Sequence, residues 1–299
     1  MIAEAVRLKG MLNRTFAHQS PLTLGRCAAA AFVVSLALVP TAGWSQSHAK
    51  EANTAADFPR PSDLPAEALI VHSATLKGPA DRALILWMLC PEKNPRDGSI
   101  SDSYTCPEYT RGSYYSGPTR VSLVNTKAGT IINTVEVKQE YDEGLDSFDV
   151  PYAIRKGFYY DVKGNPKKNQ EAPADILRLK DYNGDGKAFE FALFDALACM
   201  GVPSTLIGYS EKQDRVIQYP IRLQIDTNGK MSSKASHWCD YLFDKDPKPP
   251  GQWNYDVDYR GRGGYLVEYD VKYNAAEEAF EGKQKNTGEP ESESEEASE

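Results

Sequence analysis

The sequence predicts a mainly β protein, an antiparallel β-sandwich or barrel-like single domain with at most one or two short helices. Three observations predict this class: segments in which apolar and polar residues alternate, short polar turns between them, and little helical periodicity. Residues 265–273 (YLVEYDVKY) alternate most regularly, with tyrosine and valine on one face and charged residues on the other. Such alternation is typical of a strand with one buried face.

The remaining strands are predicted from related patterns. Residues 68–77 and 83–90 form an outer and a buried strand separated by a Gly-Pro turn. Residues 120–125 and 131–137 flank a short polar connection that contains glycine, which indicates a β-hairpin. Residues 216–225 precede Asp-Thr-Asn-Gly, a second hairpin signal.

One short helix is predicted over residues 191–200 (FALFDALACM), which a glycine and a Val-Pro pair follow. No repeat of fixed period occurs in the sequence, which disfavours a solenoid or a propeller. The strand patterns between residues 67 and 275 therefore suit one β-rich domain, with sandwich and barrel both open.

The N-terminal segment has the three parts of a secretory signal peptide. Within residues 1–45, four basic side chains precede an apolar run at 27–39 and then a small-residue exit. We therefore expect export to the periplasm or secretion. Residues 46–66 are polar with three prolines, and they are predicted to be a linker.

The C-terminal segment is rich in glutamate. Residues 276–299 hold nine Glu, two Lys and few apolar residues. Such a composition buries too little apolar surface to offset the entropy of ordering, so a disordered acidic tail is predicted here.

Composition and charge exclude several classes of protein. The 299 residues include 34 Lys and Arg against 42 Asp and Glu, a net charge of −8, and 41% are hydrophobic. This composition excludes a chain that is disordered throughout. No apolar run approaches the roughly 18–20 residues of a membrane span, so we expect none after signal cleavage. The acidic balance and the predicted export disfavour nucleic acid as a partner.

Four cysteines follow the predicted signal peptide: Cys90, Cys106, Cys199 and Cys239. An even number in an oxidising compartment predicts disulfides, with three possible pairings. We favour Cys90–Cys106, which closes a polar loop, together with Cys199–Cys239. Zinc binding is disfavoured because no Cys-x-x-Cys pair is present.

The most specific motif is the run DYNGDGK at 181–187. Asp181, Asn183 and Asp185 place side-chain oxygens at alternate positions, the glycine that follows permits a sharp turn, and the Lys187 carbonyl can add another oxygen. Ca²⁺ requires six to eight oxygen ligands, and this spacing wraps several of them around one point. We therefore predict Ca²⁺ as the cofactor.

The motif resembles the calcium loops of EF-hands and of FG-GAP-type β-repeats over about a dozen residues. It departs from both families at its end, where Phe189 and Ala192 occupy the ninth and twelfth positions. Glu190 is predicted as the remaining ligand, with Asp195 as a second candidate. Strand-like flanks favour a β-loop-β site with a structural ion. The alternative is an Asn-Gly-Asp-Gly turn that binds no metal.

Aromatic residues suggest a binding surface, because exposed tyrosine and tryptophan stack on sugar rings and anchor protein interfaces. The candidate residues lie in two clusters: Tyr109, Arg111, Tyr114 and Tyr115, and then Trp253 and Tyr255. The expected partner is a glycan or an envelope protein.

No Gly-x-Ser-x-Gly elbow, His-Glu-x-x-His pair, phosphate loop or dinucleotide fingerprint occurs. We therefore predict an exported calcium-binding β-rich protein that acts as a non-catalytic binding or envelope-associated module. The alternative is a calcium-stabilised extracytoplasmic hydrolase that acts on a polysaccharide or an ester.

Overall fold

Fifteen β-strands and two 3₁₀ turns, at Leu242–Asp244 and Arg260–Arg262, form the part of the chain that the structure describes. The structure is a computed structural model that describes residues 59–94, 114–139, 147–150, 176–194 and 202–288. No α-helix occurs among these residues, and most pairings between strands are antiparallel. The predicted mainly β class is confirmed. Within the same residues, no helix has the length and hydropathy to cross a membrane.

The strands form three sheets. The front sheet contains β1 (Ala68–Thr75), β2 (Arg82–Leu89), β3 (Glu92–Asn94), β4 (Tyr114–Asn125), β5 (Thr130–Glu136) and β6 (Ser147–Val150). The middle sheet contains β7 (Glu190–Phe194), β8 (Pro203–Ser210), β9 (Arg215–Gln218) and β12 (Cys239–Asp240). The back sheet contains β10 (Ile221–Thr227), β11 (Lys230–Ser236), β13 (Gln252–Asp258), β14 (Leu266–Asn274) and β15 (Ala279–Thr287).

Both faces of the middle sheet are covered, and every residue of β8 is buried. Phe191 and Ile207 lie in a core shared with the front sheet. Their chain neighbours Ala192 and Leu206 lie in a second core, shared with the back sheet. Because side chains alternate along a strand, this arrangement requires apolar residues at successive positions.

Two predicted elements are corrected by the structure. The helix predicted from residue 191 is wrong over Phe191–Phe194, because these residues pair with β8 and bury both of their faces; residues 195–200 lie outside the described part. The single strand predicted over 216–225 is divided at Tyr219 and Pro220 into β9 and β10. Proline has no N–H to donate to a ladder, which accounts for the break.

The second half of the predicted 46–66 linker packs on the front sheet. Ser62 donates its backbone N–H to the Gly129 carbonyl at 2.8 Å. The Asp63 carboxylate accepts the backbone N–H of Ile131 at 2.9 Å, and Leu64 is buried. The hairpin between β4 and β5 therefore holds this segment. Residues 46–58 of the linker and the predicted signal peptide at 1–45 lie outside the described residues.

The disordered tail predicted over 276–299 is wrong for residues 279–287, which form β15. This strand pairs in parallel with β10 and antiparallel with β14, and Phe280 is fully buried between them. Its lysines face acids across the ladder, Lys283 opposite Asp270 and Lys285 opposite Glu268. Residues 289–299, which hold most of the glutamates, lie outside the described part.

One of the two predicted disulfides is contradicted. Cys239 is a buried thiol, with its Sγ 3.6 Å from the Tyr255 hydroxyl, so the pairing with Cys199 is wrong. The buried strand β12 holds this thiol in the core shared with the back sheet. Cys90 is disulfide-bonded. Its predicted partner Cys106, like Cys199, lies outside the described residues, so Cys90–Cys106 stays a prediction.

We expect Phe280→Ala to lower the free energy of unfolding by roughly 3–5 kcal/mol, because it opens a cavity on the inner face of the back sheet, where Phe280 packs on Phe243 and Trp253. Lys283→Ala, on the exposed face of the same strand, should change it by less than about 0.5 kcal/mol. Urea unfolding of both variants checks this. Equal, small effects would contradict the assignment of 279–287 to the core.

Candidate calcium loop and ligand recess

The predicted calcium loop is closed at its base by backbone hydrogen bonds. Lys180 donates its N–H to the Glu190 carbonyl at 2.8 Å, and Glu190 returns a bond to the Lys180 carbonyl at 3.3 Å. After the loop the chain continues as β7, as the strand-like flank predicts. Before it, the strand-like flank predicted over 176–180 does not form a strand: Lys180 makes one isolated bridge, and the N–H groups of Ile176 and Leu177 donate to His72 Nδ1 at 3.1 Å.

The side chains of the motif fold back over their own loop. The Asp181 carboxylate accepts the N–H groups of Gly184 and Gly186 at 2.7 and 2.9 Å. Asn183 and Asp185 each accept, through a side-chain oxygen, the N–H two residues later, at 2.9 and 2.8 Å. Three oxygen-bearing side chains at alternate positions are thereby held on one short loop.

The two glycines have left-handed backbones, with φ of +81° at Gly184 and +85° at Gly186. A Cβ at Gly184 would also lie 2.9 Å from the Pro250 carbonyl oxygen. The loop therefore packs closely against the turn that leads into β13, and this contact requires a glycine.

Glu190, predicted as a metal ligand, lies beneath the loop and is fully buried. Its carboxyl group accepts the Tyr182 N–H at 3.1 Å, the Asn183 amide at 3.0 Å and the Tyr219 hydroxyl at 3.5 Å. Burial raises the pKa of Glu190 to about 8, and the negative charges of Asp185 and Asp181 act in the same direction. These donors hold Glu190 as a support for the loop.

The structure does not bring the full predicted ligand set together. Among the described residues, no three His, Cys, Asp or Glu side chains converge as a metal cluster. Asp181, Asn183 and Asp185 offer side-chain oxygens of the type that Ca²⁺ prefers, and the main-chain carbonyl of Lys187 can add a fourth. The Lys187 ammonium forms an ion pair with Glu211, in the turn between β8 and β9.

The structure buries one of the two aromatic residues in the second predicted cluster. Trp253 is 1% exposed, and its indole N–H bonds the Lys245 carbonyl at 2.9 Å, so it is a core residue. Tyr255 stacks on Tyr269, with ring centroids 4.8 Å apart. Its hydroxyl donates to the Asp240 main-chain carbonyl at 2.8 Å. Burial of Trp253 excludes that ring from an exposed surface, whereas Tyr255 is half-buried.

The other aromatic cluster is only partly described. Tyr115 is half-buried on β4, and the Lys93 ammonium lies 5.6 Å from its ring centroid. Tyr109, Arg111 and the side chain of Tyr114 lie outside the described residues.

A recess of about 330 Å³ opens on the inner face of the back sheet. Its floor is formed by alternate residues of β10, β14 and β15, which share that face by register. Its walls come from β11, from β12 of the middle sheet and from the loop between β13 and β14. The lining comprises Ile225, Lys234, Cys239, Asp240, Tyr259, Gly264, Tyr265, Val267, Tyr269, Gln284 and Asn286.

Hydrogen bonds fix several polar groups of the recess. The Tyr259 hydroxyl donates to Asp240 Oδ2 at 2.9 Å. The Gln284 amide donates to Asn286 Oδ1 at 2.9 Å, and the Asn286 amide donates to the Thr227 hydroxyl at 2.9 Å. Tyrosine rings and fixed amides thus share one concave surface.

Sequence reasoning missed this recess because its floor includes β15, which was assigned to the tail. The available signal was the period-two pattern of residues 265–273, because a half-buried strand needs partner strands along its hydrogen-bonding edges. The polar side chains of Gln284 and Asn286 hide the same period in β15.

No family model, curated protein or solved structure matches the chain.

We expect the stability of the wild type to fall as pH rises from about 5 to 8. The raised pKa of Glu190 means that folding favours the neutral acid. That contribution is complete below the ordinary pKa of 4.5 and is lost as pH rises through about 8. The expected loss is a few kcal/mol, since one pKa unit corresponds to about 1.4 kcal/mol.

Glu190→Gln, which cannot ionise, should flatten this dependence. Urea unfolding at several pH values, with a metal chelator in the buffer, measures how the free energy of unfolding depends on pH. Glu268→Gln, at an exposed site on β14, is the control. If the wild type and Glu190→Gln share one pH profile, the assignment to Glu190 is wrong.

Proposed function

We propose that this chain is an exported, calcium-binding, non-catalytic module that binds a glycan in the recess of its back sheet. The recess carries the proposal. Its volume suits one or two sugar rings, its tyrosines suit the apolar face of a pyranose, and its amides suit hydroxyl groups. An envelope protein is the other partner that the sequence predicts, and the concavity of the site favours the glycan.

The lining supports binding better than hydrolysis. Most glycoside hydrolases use two carboxyl groups that flank the scissile bond, about 5–10 Å apart. Among the described residues that line the recess, Asp240 is the one carboxylate. His237, a side chain suited to acid–base work that lies three residues before Asp240 in the sequence, is not among these lining residues. A hydrolase acting on a polysaccharide or an ester is therefore the second candidate.

Calcium is proposed as a structural ion. Asp181, Asn183 and Asp185 would hold it with the Lys187 carbonyl, and solvent would complete a coordination of six to eight. A bound cation would offset the repulsion between the carboxylates on one loop. It would thereby stabilise the loop against the turn that leads into β13.

Export is proposed from the signal-like residues 1–45, with the mature protein in the periplasm or outside the cell. The predicted Cys90–Cys106 disulfide suits such a compartment.

Calcium titration of the mature protein tests the metal proposal. We expect binding heat and a raised melting temperature in the wild type, and loss of both in Asp185→Ala. Asp226→Ala is the matched control, because Asp226 also caps a turn by accepting an N–H, that of Gly229 at 2.7 Å. Absence of calcium heat in the folded wild type would refute the metal proposal.

A screen on an array of immobilised glycans tests the binding proposal. We expect Tyr265→Ala, in the recess, to weaken the wild-type signal about tenfold or more, because a stacking ring is lost. Tyr115→Ala, on the front sheet, should leave that signal unchanged. A larger loss of signal in Tyr115→Ala than in Tyr265→Ala would indicate a binding surface on the front sheet. Absence of any signal from the wild type would refute glycan binding.

A further inference from the structure

A chain of side-chain hydrogen bonds crosses the floor of the recess. The Gln284 amide nitrogen donates to Asn286 Oδ1 at 2.9 Å, and the Asn286 amide nitrogen donates to the Thr227 hydroxyl at 2.9 Å. Within the described part of the chain, Gln284 forms this one side-chain hydrogen bond. A primary amide has two N–H donors and one carbonyl oxygen. Gln284 therefore has an oriented carbonyl oxygen and one N–H left for a ligand.

Apolar side chains lie beside this amide. In the register of the back sheet, Gln284 is paired with Ile225 of β10 and with Tyr269 of β14. Val267, the next inward-facing residue of β14, is paired with Asn286. Ile225 and Val267 both line the recess, and their side chains carry no polar atom. The floor thus places a hydrogen-bonding amide next to a surface that suits a methyl group.

The charged residues of the lining balance each other. Among the described residues that line the recess, Asp240 is the one acid and Lys234 the one base, and both make further interactions within the protein. Asp240 Oδ1 is buried, and Oδ2 accepts from the Tyr259 hydroxyl at 2.9 Å. Neither sign of charge is in excess, so the recess suits an uncharged ligand.

We propose that the recess selects uncharged sugars with an N-acetyl group, and that Gln284 recognises this group. An acetamido group has one N–H, one carbonyl oxygen and one methyl group, and Gln284 beside Ile225 complements all three. A hydroxyl group lacks the methyl group, and an ammonium group lacks both the methyl group and the acceptor. The inference rests on the proposed function, because it specifies the glycan class that the same recess binds.

Calorimetric titration with N-acetylglucosamine, glucose and protonated glucosamine tests this, because the three sugars differ at one position. We expect N-acetylglucosamine to bind the wild type about tenfold more tightly than either of the others. Equal affinities, or tighter binding of glucosamine, would overturn the selection for the N-acetyl group and leave glycan binding intact. Absence of binding by all three sugars at millimolar concentration would count against both proposals.

Gln284→Met removes the amide and keeps the length of the side chain. It should reduce the preference for N-acetylglucosamine over glucose to about twofold, with the methyl contact at Ile225 accounting for the remainder. Gln224→Met is the matched control, because Gln224 is an exposed residue of β10 in register with Lys283 on the outer face of the same sheet. It should preserve the preference. An unchanged preference in a Gln284→Met protein that is folded by circular dichroism would overturn the assignment to Gln284.

N-acetylalanine methylamide separates a sugar from a peptide as the source of the amide group. It carries an acetamido group without a sugar ring, so it should bind about tenfold more weakly than N-acetylglucosamine, because no ring stacks on Tyr265. Equal binding of the two compounds would assign the recess to a peptide and overturn the selection of a sugar.

Discussion

Burial of the middle sheet on both faces is the constraint on which the rest of the structure depends. A strand covered on both faces can hold a polar side chain only if that side chain finds hydrogen bonds inside the protein. Glu190, the first residue of β7, is such a side chain, and its bonds come largely from Tyr182 and Asn183 of the loop. The core and the loop therefore determine each other's conformation. Gly208 completes the arrangement, because a Cβ there would lie 2.7 Å from the Glu190 side chain.

β13 links this loop to the recess. Its N-terminal end follows the turn that packs against Gly184, and Tyr259, just after its C-terminal end, lines the recess. Trp253 and Phe280 fill the inner face of the back sheet where the middle sheet covers it, with ring centroids 5.4 Å apart. Farther along the same face, Gln284 and Asn286 replace apolar residues, and the recess opens there. The recess thus results from incomplete coverage of one sheet by another.

Much of the fold could be predicted from the alternation of apolar and polar residues, because strands with one solvent-exposed face show this pattern. Residues 265–273 and the hairpin around Gly129 are examples. The pattern fails where both faces are buried: Phe191–Phe194 is apolar at successive positions, which suits a strand or a helix equally. It fails again in β15, where lysines and amides resemble a solvated tail and only Phe280 indicates a core. Long-range pairing with β10 and β14 determines this strand, and local composition does not report such pairing.

The two candidate sites also differ in how far the local sequence predicts them. The spacing of Asp181, Asn183 and Asp185 is local, so the sequence alone identifies the loop. The support from Glu190 depends on the sheet behind it, and the recess depends on residues from five strands and a loop. Trp253 shows a different error. Its place in an aromatic cluster predicted an exposed binding residue, but its side chain is buried in the core. Sequence reasoning therefore found the loop and missed the cavity.

We propose two separate ligand sites in this chain, one on the loop and one in the recess. Backbone amide chemical shifts of the isotope-labelled mature protein, recorded with calcium and then with the sugar that gives the strongest array signal, test whether the two sites are separate. We expect calcium to shift the amide resonances of residues 181–190 and 250–251, and the sugar to shift those of residues 239–240, 259–269 and 284–286. Shifts confined to other residues, or one common set for both ligands, would contradict it.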